Sequence, residues 1–139
     1  MPIAFRPEKI SFSLKRKNGL ENWITSVIRK EKKRSGEIHY IFCSDAFLLK
    51  LNKQFLHHDT LTDIITFDYS EGKTIAGEIY ISIPRVKENA RNYRTPFETE
   101  LHRVMIHGIL HLCGYKDKTA KAKTEMRKAE DRCLELLKR

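Results

Sequence analysis

Residues 101–112, Leu-His-Arg-Val-Met-Ile-His-Gly-Ile-Leu-His-Leu, constrain the fold more than any other stretch of the chain. Leu101, Val104, Met105, Gly108 and Leu112 recur at helical period. Ile106 and Leu110 lie off that stripe, so the helix is apolar nearly all round by its last two turns. A helix of this kind has to be buried, and the other elements must be arranged to cover it. Gly114 supplies a natural end. With 139 residues, 40% of them hydrophobic, the chain has room for one core, and it reads as a single domain spanning residues 1–139.

The same helix carries chemistry. His107 and His111 are four apart, which puts their Cβ atoms about 5–6 Å apart on one face, so both imidazoles can address one ion. In so apolar a helix both rings are expected to be buried. An unpartnered buried polar group costs about 1–3 kcal/mol, and a shared metal would relieve that. The spacing alone is a weak signal, because a chain of 139 residues with six histidines can produce it by chance. Gly108 stands where a zinc metalloprotease helix of the H-E-x-x-H type would carry its glutamate base, so that chemistry is not written here.

The order of residues around the pair is more specific. His107, Gly108, Leu110, His111, Leu112, Gly114 and Tyr115 together resemble the motif H-G-x-L-H-L-x-G-Y-D-H of the YbeY family of bacterial metal-dependent endoribonucleases. Leu51-Asn52, the run from Thr62 through Phe67, and the run from Gly77 through Ser82 are similar to the family's L-N, T-D-V-L-S-F and G-D-I-x-I-S segments. The resemblance covers most of residues 45–117. It departs at Asp117, which stands where the family has its third metal-binding histidine, and no histidine follows His111.

The resemblance implies one Zn2+ per chain, held by His107, His111 and Asp117. Zinc accepts carboxylate oxygen at about 2.0–2.2 Å beside imidazole nitrogen at about 2.0–2.1 Å, and three protein ligands leave a fourth position for water, as in catalytic sites. The zinc-bound water is then the catalytic group, and no side-chain base is assigned. The competing reading makes Asp117 a solvated turn residue between Lys116 and Lys118. A second departure is Leu56, at a position where the family commonly has an arginine. Lys53, His57 or His58 could take over its charge.

The implied activity is zinc-dependent, single-strand-specific endoribonucleolytic cleavage in 16S ribosomal RNA maturation and ribosome quality control. Ribosomal RNA and the small ribosomal subunit are the implied partners. Two alternatives stand beside it: an RNA- or ribosome-binding protein without catalysis, and a metal-dependent hydrolase of another substrate. Asp63, Glu78 and His102 are left outside the site. Asp63 reads as a strand-end turn residue, Glu78 as polar-face, and His102 points elsewhere on the helix.

Charge agrees with a polyanionic partner. There are 27 basic against 18 acidic residues, a formal net charge of +9, gathered in residues 15–17, 29–34 and 116–128, and such clusters attract phosphate backbones. Cys43, Cys113 and Cys133 include no CxxC pair, which reads as a reduced, cytoplasmic chain. Cys113 reads as a packing residue. The first ten residues carry Arg6, Glu8 and Lys9 without a long apolar core, against a secretory signal. No run approaches the length of a membrane span.

Periodicity supplies the remaining elements. Ile10, Phe12 and Leu14 alternate as in a strand, Asn18-Gly19 marks a turn, and Leu20, Trp23, Ile24, Val27 and Ile28 have helical spacing closed by Gly36. Residues 38–43 read as a strand that includes a structural His39. Ser44 or Asp45 caps a helix burying Leu48, Leu51 and Phe55 and ending at His57-His58. Residues 62–67 and 77–83 form a hairpin stopped by Pro84. A helix from Val86 breaks near Thr95-Pro96 and restarts with Thr95 as cap; Met126, Ala129, Cys133, Leu136 and Leu137 mark the last helix. The element order is therefore βαβαββαα. That order predicts an α+β fold with a small mixed β-sheet of about four strands and packed helices.

Overall fold

The computed structural model describes residues 3–56 and 61–138. The elements are β1 (Ile3–Pro7), α1 (Lys17–Lys30), β2 (Arg34–Cys43), α2 (Asp45–Leu56), β3 (Ile64–Asp68), β4 (Thr74–Ser82), α3 (Ile83–Tyr93), α4 (Phe97–Leu112) and α5 (Ala120–Leu137). The sheet has four strands in the order β1-β2-β4-β3. β1, β2 and β4 run parallel, and β3 joins β4 antiparallel at the edge. This is the expected α+β class with a mixed sheet.

Strand alternation gives the sheet two unequal faces. Ile38, Tyr40 and Phe42 of β2 and Ile75, Ile79 and Ile81 of β4 point into the main core, which they share with α1, α3, α4 and α5. Cys43, Ile65 and Tyr80 point the other way, against Phe47, Leu48 and Leu51 of α2. Buried polar groups at the centre are satisfied across elements. The Tyr40 hydroxyl donates to the Met105 carbonyl at 2.8 Å, and the Trp23 indole donates to the Cys133 carbonyl at 2.8 Å.

Helix α4 lies closest to the sheet at Gly108. A Cβ there would stand 3.0 Å from both Ile79 Cδ1 and Ile79 Cγ2 and 3.2 Å from Ile64 Cδ1. Gly77, in β4, is more tightly enclosed, since its Cβ would collide with the Phe67 carbonyl oxygen of the neighbouring strand. The motif glycine of the histidine helix is therefore a packing device. It seats the helix on β4 and on β3, the strand that borders the cleft described below.

Several boundaries differ from the periodicity reading. The first strand is not at residues 10–14 but at Ile3–Pro7, in register with Ile38 through Phe42. A positive φ of 57° at Lys9 turns the chain off the sheet edge, and Ile10, Phe12 and Leu14 then pack on the core from an irregular segment. Their alternating burial imitates a strand. Asn18-Gly19 is not a turn, because it lies in the first turn of α1 after a left-handed Arg16. Gly36 does not close that helix. It lies in β2, where the register shifts between Ser35 and Ile38 and where a Cβ would stand 2.9 Å from the Ile75 carbonyl oxygen.

The C-terminal half holds three helices where the order βαβαββαα allowed two. Arg94, left-handed at φ 55, and the extended Pro96 separate α3 from α4, so Pro96 and not Thr95 is the N-cap of α4. Phe55, expected to be buried, is 53% exposed and meets the sheet only edge-on at Phe67, 5.8 Å between ring centroids, while Phe47, Leu48 and Leu51 cover the smaller face. The expected end of α2 at His57-His58 lies outside the described residues.

Filling the Gly108 notch should be felt throughout the core. Gly108→Ala is expected to destabilise the protein by about 1–3 kcal/mol, the usual cost of overpacking, even though alanine is the better helix former. Urea denaturation measures this, and a gain in stability would mean that α4 is not seated as described.

Candidate metal centre

The end of α4 brings Asp117 back beside the helix. Tyr115 N–H bonds to the Leu110 carbonyl and Gly114 N–H to the His111 carbonyl, each at 3.0 Å. This is the paired pattern of a Schellman cap. Gly114 takes the required positive φ, 112°. Tyr115 then packs on the core, and its hydroxyl reaches Glu31 at 3.3 Å. With the turn pinned at both ends, Asp117 Oδ2 comes to 3.4 Å from His107 Nε2.

The other ring nitrogen of His107 is held from behind. His107 Nδ1 donates to Glu130 Oε2 of α5 at 2.7 Å, while Glu130 Oε1 accepts from Arg103 at 2.9 Å and Arg103 also reaches Asp131 at 2.7 Å. The Glu130 side chain is almost fully enclosed. A histidine that gives its Nδ1 proton to a fixed carboxylate presents Nε2 as a lone pair, the arrangement that orients metal-ligating histidines. Two ligands about 2.05 Å from a tetrahedral ion stand about 3.3 Å apart, close to the His107–Asp117 separation. The pair therefore fits the coordination edge of a small cation.

His111 lines the same cleft as His107 and Asp117, together with Asn52, Leu56, Asp63, Tyr93 and Lys123. Unlike the expectation of two buried rings, His111 is exposed, because its turn of α4 faces the cleft opening while Gly108 and Leu112 face inward. Among the described residues, no three histidine, cysteine or acidic side chains converge as a ready-made cage. His107 and Asp117 are in contact, and His111 stands one helical turn away on the same wall.

Other sequence readings are revised or upheld by position. Asp63, left outside the site, lines the cleft, held by Asn89 Nδ2 at 3.2 Å from its Oδ2. Burial pushes its carboxyl above the ordinary range despite the opposing pull of His107. Glu78 accepts from Tyr69 at 3.3 Å on the opposite sheet face. His102 is buried beside Trp23, and burial lowers its proton affinity. His39 lies in β2 away from the cleft, and Cys113 packs on the core. Gly108 points into Ile79 and Ile64, so the helix has no room for a glutamate there.

Glu130, Arg103, Lys123 and Tyr93 were not singled out from sequence. For Glu130 a signal existed. Met126, Glu130 and Cys133 share one face of α5, so a carboxylate occupies a core-facing position and requires a buried partner. Lys123 and Tyr93 carried no local mark, since each reaches the cleft only through the packing of α5 and α3 around α4.

The fold and cleft define an α+β enzyme domain with a histidine and carboxylate site open to solvent. Comparison with known proteins gives its kinship. The family model described as Endoribonuclease YbeY matches residues 3–138. The chain is 55% identical to Endoribonuclease YbeY of Flavobacterium psychrophilum over 134 residues, covering 96% of this chain and 95% of that one. It is 46% identical to the Bacteroides fragilis protein of the same name over 138 residues, covering 99% of each. The solution structure of TM1509 from Thermotoga maritima superposes with a TM-score of 0.66 at 33% identity, covering 97% of this chain and 88% of that one. The chain belongs to the Endoribonuclease YbeY family.

Burial by itself would lower the proton affinity of His107, but the Glu130 hydrogen bond and charge, with Asp117 and Asp63, outweigh it and leave the ring's pKa raised. A raised histidine stabilises the fold fully below its unfolded value of about 6.5, and the contribution fades as pH climbs through the folded value. In chelator-treated protein, His107→Gln should therefore cost more stability near about pH 6 than near about pH 8.5. Urea titrations at both pH values measure the difference. Equal losses would mean that Glu130 does not hold a protonated ring.

Proposed function

We propose that the chain is a metal-dependent endoribonuclease that cleaves single-stranded RNA in the cleft between α4 and β3, with His107, His111 and Asp117 as ligands of one Zn2+. The observation that carries this reading is the orientation of His107, whose Nδ1 is tied to buried Glu130 while Nε2 faces Asp117 in the cleft. The family supports an RNA-cleaving hydrolase. A bound zinc ion would polarise a phosphoryl oxygen and lower the proton affinity of its water near neutral pH.

The chain's own residues supply the rest. Glu130 and Arg103 keep His107 in one tautomer and orientation. Lys123 is the cation among the described residues that line the cleft, and it is exposed and able to meet a backbone phosphate. Leu56, at the position where the resemblance expects arginine, lies on the cleft wall, 41% exposed. Tyr93, 62% exposed, offers a ring on which a base can stack. Lys53 is exposed at the end of α2, and His57 and His58 lie outside the described residues.

Ribosomal RNA maturation, including 16S processing and ribosome quality control on the small subunit, is the setting that the family likeness supports, in the cytoplasm. Among the described residues no helix is long and apolar enough to cross a membrane. A second reading, RNA binding without catalysis, is favoured by the exposure of His111 and by leucine at residue 56.

Metal analysis separates the two. Wild-type protein is expected to hold one equivalent of zinc, Glu130→Ala to bind it roughly 10–100-fold more weakly, and Asp117→Ala, which removes a ligand, more weakly still. His107→Ala should abolish cleavage of single-stranded RNA. Cleavage that survives this change would exclude the assigned centre, and binding without cleavage in zinc-loaded wild-type protein would favour the second reading. Lys123→Ala should weaken RNA binding for all sequences and reduce the slope of log affinity against log salt by about 0.7, as expected for one single-strand phosphate contact. An unchanged slope would remove Lys123 from the RNA path.

A further inference from the structure

Behind His107, away from Asp117, a side cavity of about 280 Å³ opens from the cleft and shares Asp63, Tyr93, His107 and Lys123 with it. Ile64, Val104 and Met126 give it apolar walls, and Glu100 lies in its lining. Glu100 is only 6% exposed as a residue, and among the described residues no hydrogen bond or ion pair holds its side chain, whose oxygens are not sealed off and line the cavity. The nearby Arg103 is already committed to Glu130 and Asp131. Asp63, at the cavity wall, accepts a hydrogen bond from Asn89 on Oδ2 and is also hydrogen-bonded by its own backbone N–H.

A buried carboxylate without a partner lowers stability, so its presence in a cavity beside a reaction site points to a ligand that brings the missing donors. Burial holds Glu100 above the ordinary carboxyl range and the charge of Asp63 adds to it, against the opposing pull of Arg103 and Arg127. The ligand must have an apolar body to meet the cavity walls and N–H donors along one edge. A nucleobase has both. A cation fits less well, because an ion would leave the apolar walls of Ile64, Val104 and Met126 unmet.

Base chemistry narrows the choice. A carboxylate can accept two parallel N–H bonds. Guanine offers adjacent donors, its ring N1–H and its 2-amino group, and its O6 and N7 are acceptors for an arginine. Adenine and cytosine place an acceptor beside their amino group. Uracil flanks its single N–H with carbonyls, whose lone pairs would face the carboxylates. Arg127 lines the same cavity and is exposed at its rim, where it can reach the acceptor edge.

We propose that this side cavity is a base pocket that selects guanine next to the cleaved bond, with Glu100 as the specificity-determining acceptor, Asp63 beside it and Tyr93 stacking at the entrance. The proposal rests on RNA being the substrate. Its position next to the reacting bond rests on the metal-centre reading, but base binding does not require the metal.

The test uses the full chain with the monophosphates of guanosine, inosine, adenosine, cytidine and uridine, titrated in chelator and followed by ligand-observed NMR. Guanosine monophosphate should bind about tenfold more tightly than the inosine form, which lacks only the 2-amino group, and than the other three. Glu100→Gln should bring these affinities within about threefold of one another and raise Tm at neutral pH, because it removes a buried charge. Tyr93→Ala, an exposed site that leaves the core intact, should weaken all five by about tenfold. Cleavage of zinc-loaded protein on oligonucleotides that differ at one base should repeat the guanine preference in kcat/KM. Equal binding of all five nucleotides by the wild type would overturn the proposal, as would a Mn2+ site lost in Glu100→Gln. Loss of cleavage in His107→Ala with guanine binding retained would leave the pocket standing independently of how the metal centre fares.

Discussion

Everything at the cleft depends on how closely α4 lies on β3 and β4. At Gly108 the helix backbone meets Ile79 and Ile64 with no space for a side chain, and the Tyr40 hydroxyl ties the same helix to β2 through the Met105 carbonyl. Interiors packed this tightly do not deform continuously. The helix therefore presents His107 and His111 at one height and angle to the cleft, and the Schellman turn after it places Asp117 opposite.

Around that rigid helix, charge is arranged in two layers. Arg103 and Glu130 form a nearly enclosed pair whose remaining valence is used on His107, so the ring is held from the protein side and left open toward the cleft. Beyond it, Asp63 and Glu100 are carboxylates that burial pushes upward in pKa, while Lys123 and Arg127 are cations at the rim. Tensions of this sort lower stability and persist where a ligand completes them. The strongly basic chain as a whole steers a polyanion toward the surface, but the lining of the cleft is mixed in sign, which suits recognition of bases as well as phosphates.

Much of the fold was legible in the sequence because most segments carry one dominant period. The apolar helix, the hairpin with Ile79 and Ile81 inward, the glycine end at residue 114 and the last amphipathic helix all follow from local pattern. The first strand was not legible. Ile10, Phe12 and Leu14 alternate in burial without pairing, whereas Ile3–Pro7 is short, lies at an edge and owes its strand state to β2. Gly36 and Asn18-Gly19 misled for the same reason, since a glycine answers to contacts as well as to turns.

The sequence by itself determined that His107 and His111 share one face of a helix and that Asp117 follows in the next loop, the three residues proposed as metal ligands. The tertiary structure alone decided that His107 is oriented by Glu130 from a helix 23 positions further along the chain, that His111 is exposed, and that Asp63, Tyr93, Lys123 and Glu100 border the same space. Spacing along a chain specifies which side chains share a face of one element. Which elements meet is settled by the packing of the whole core, and contacts between distant segments leave no local trace.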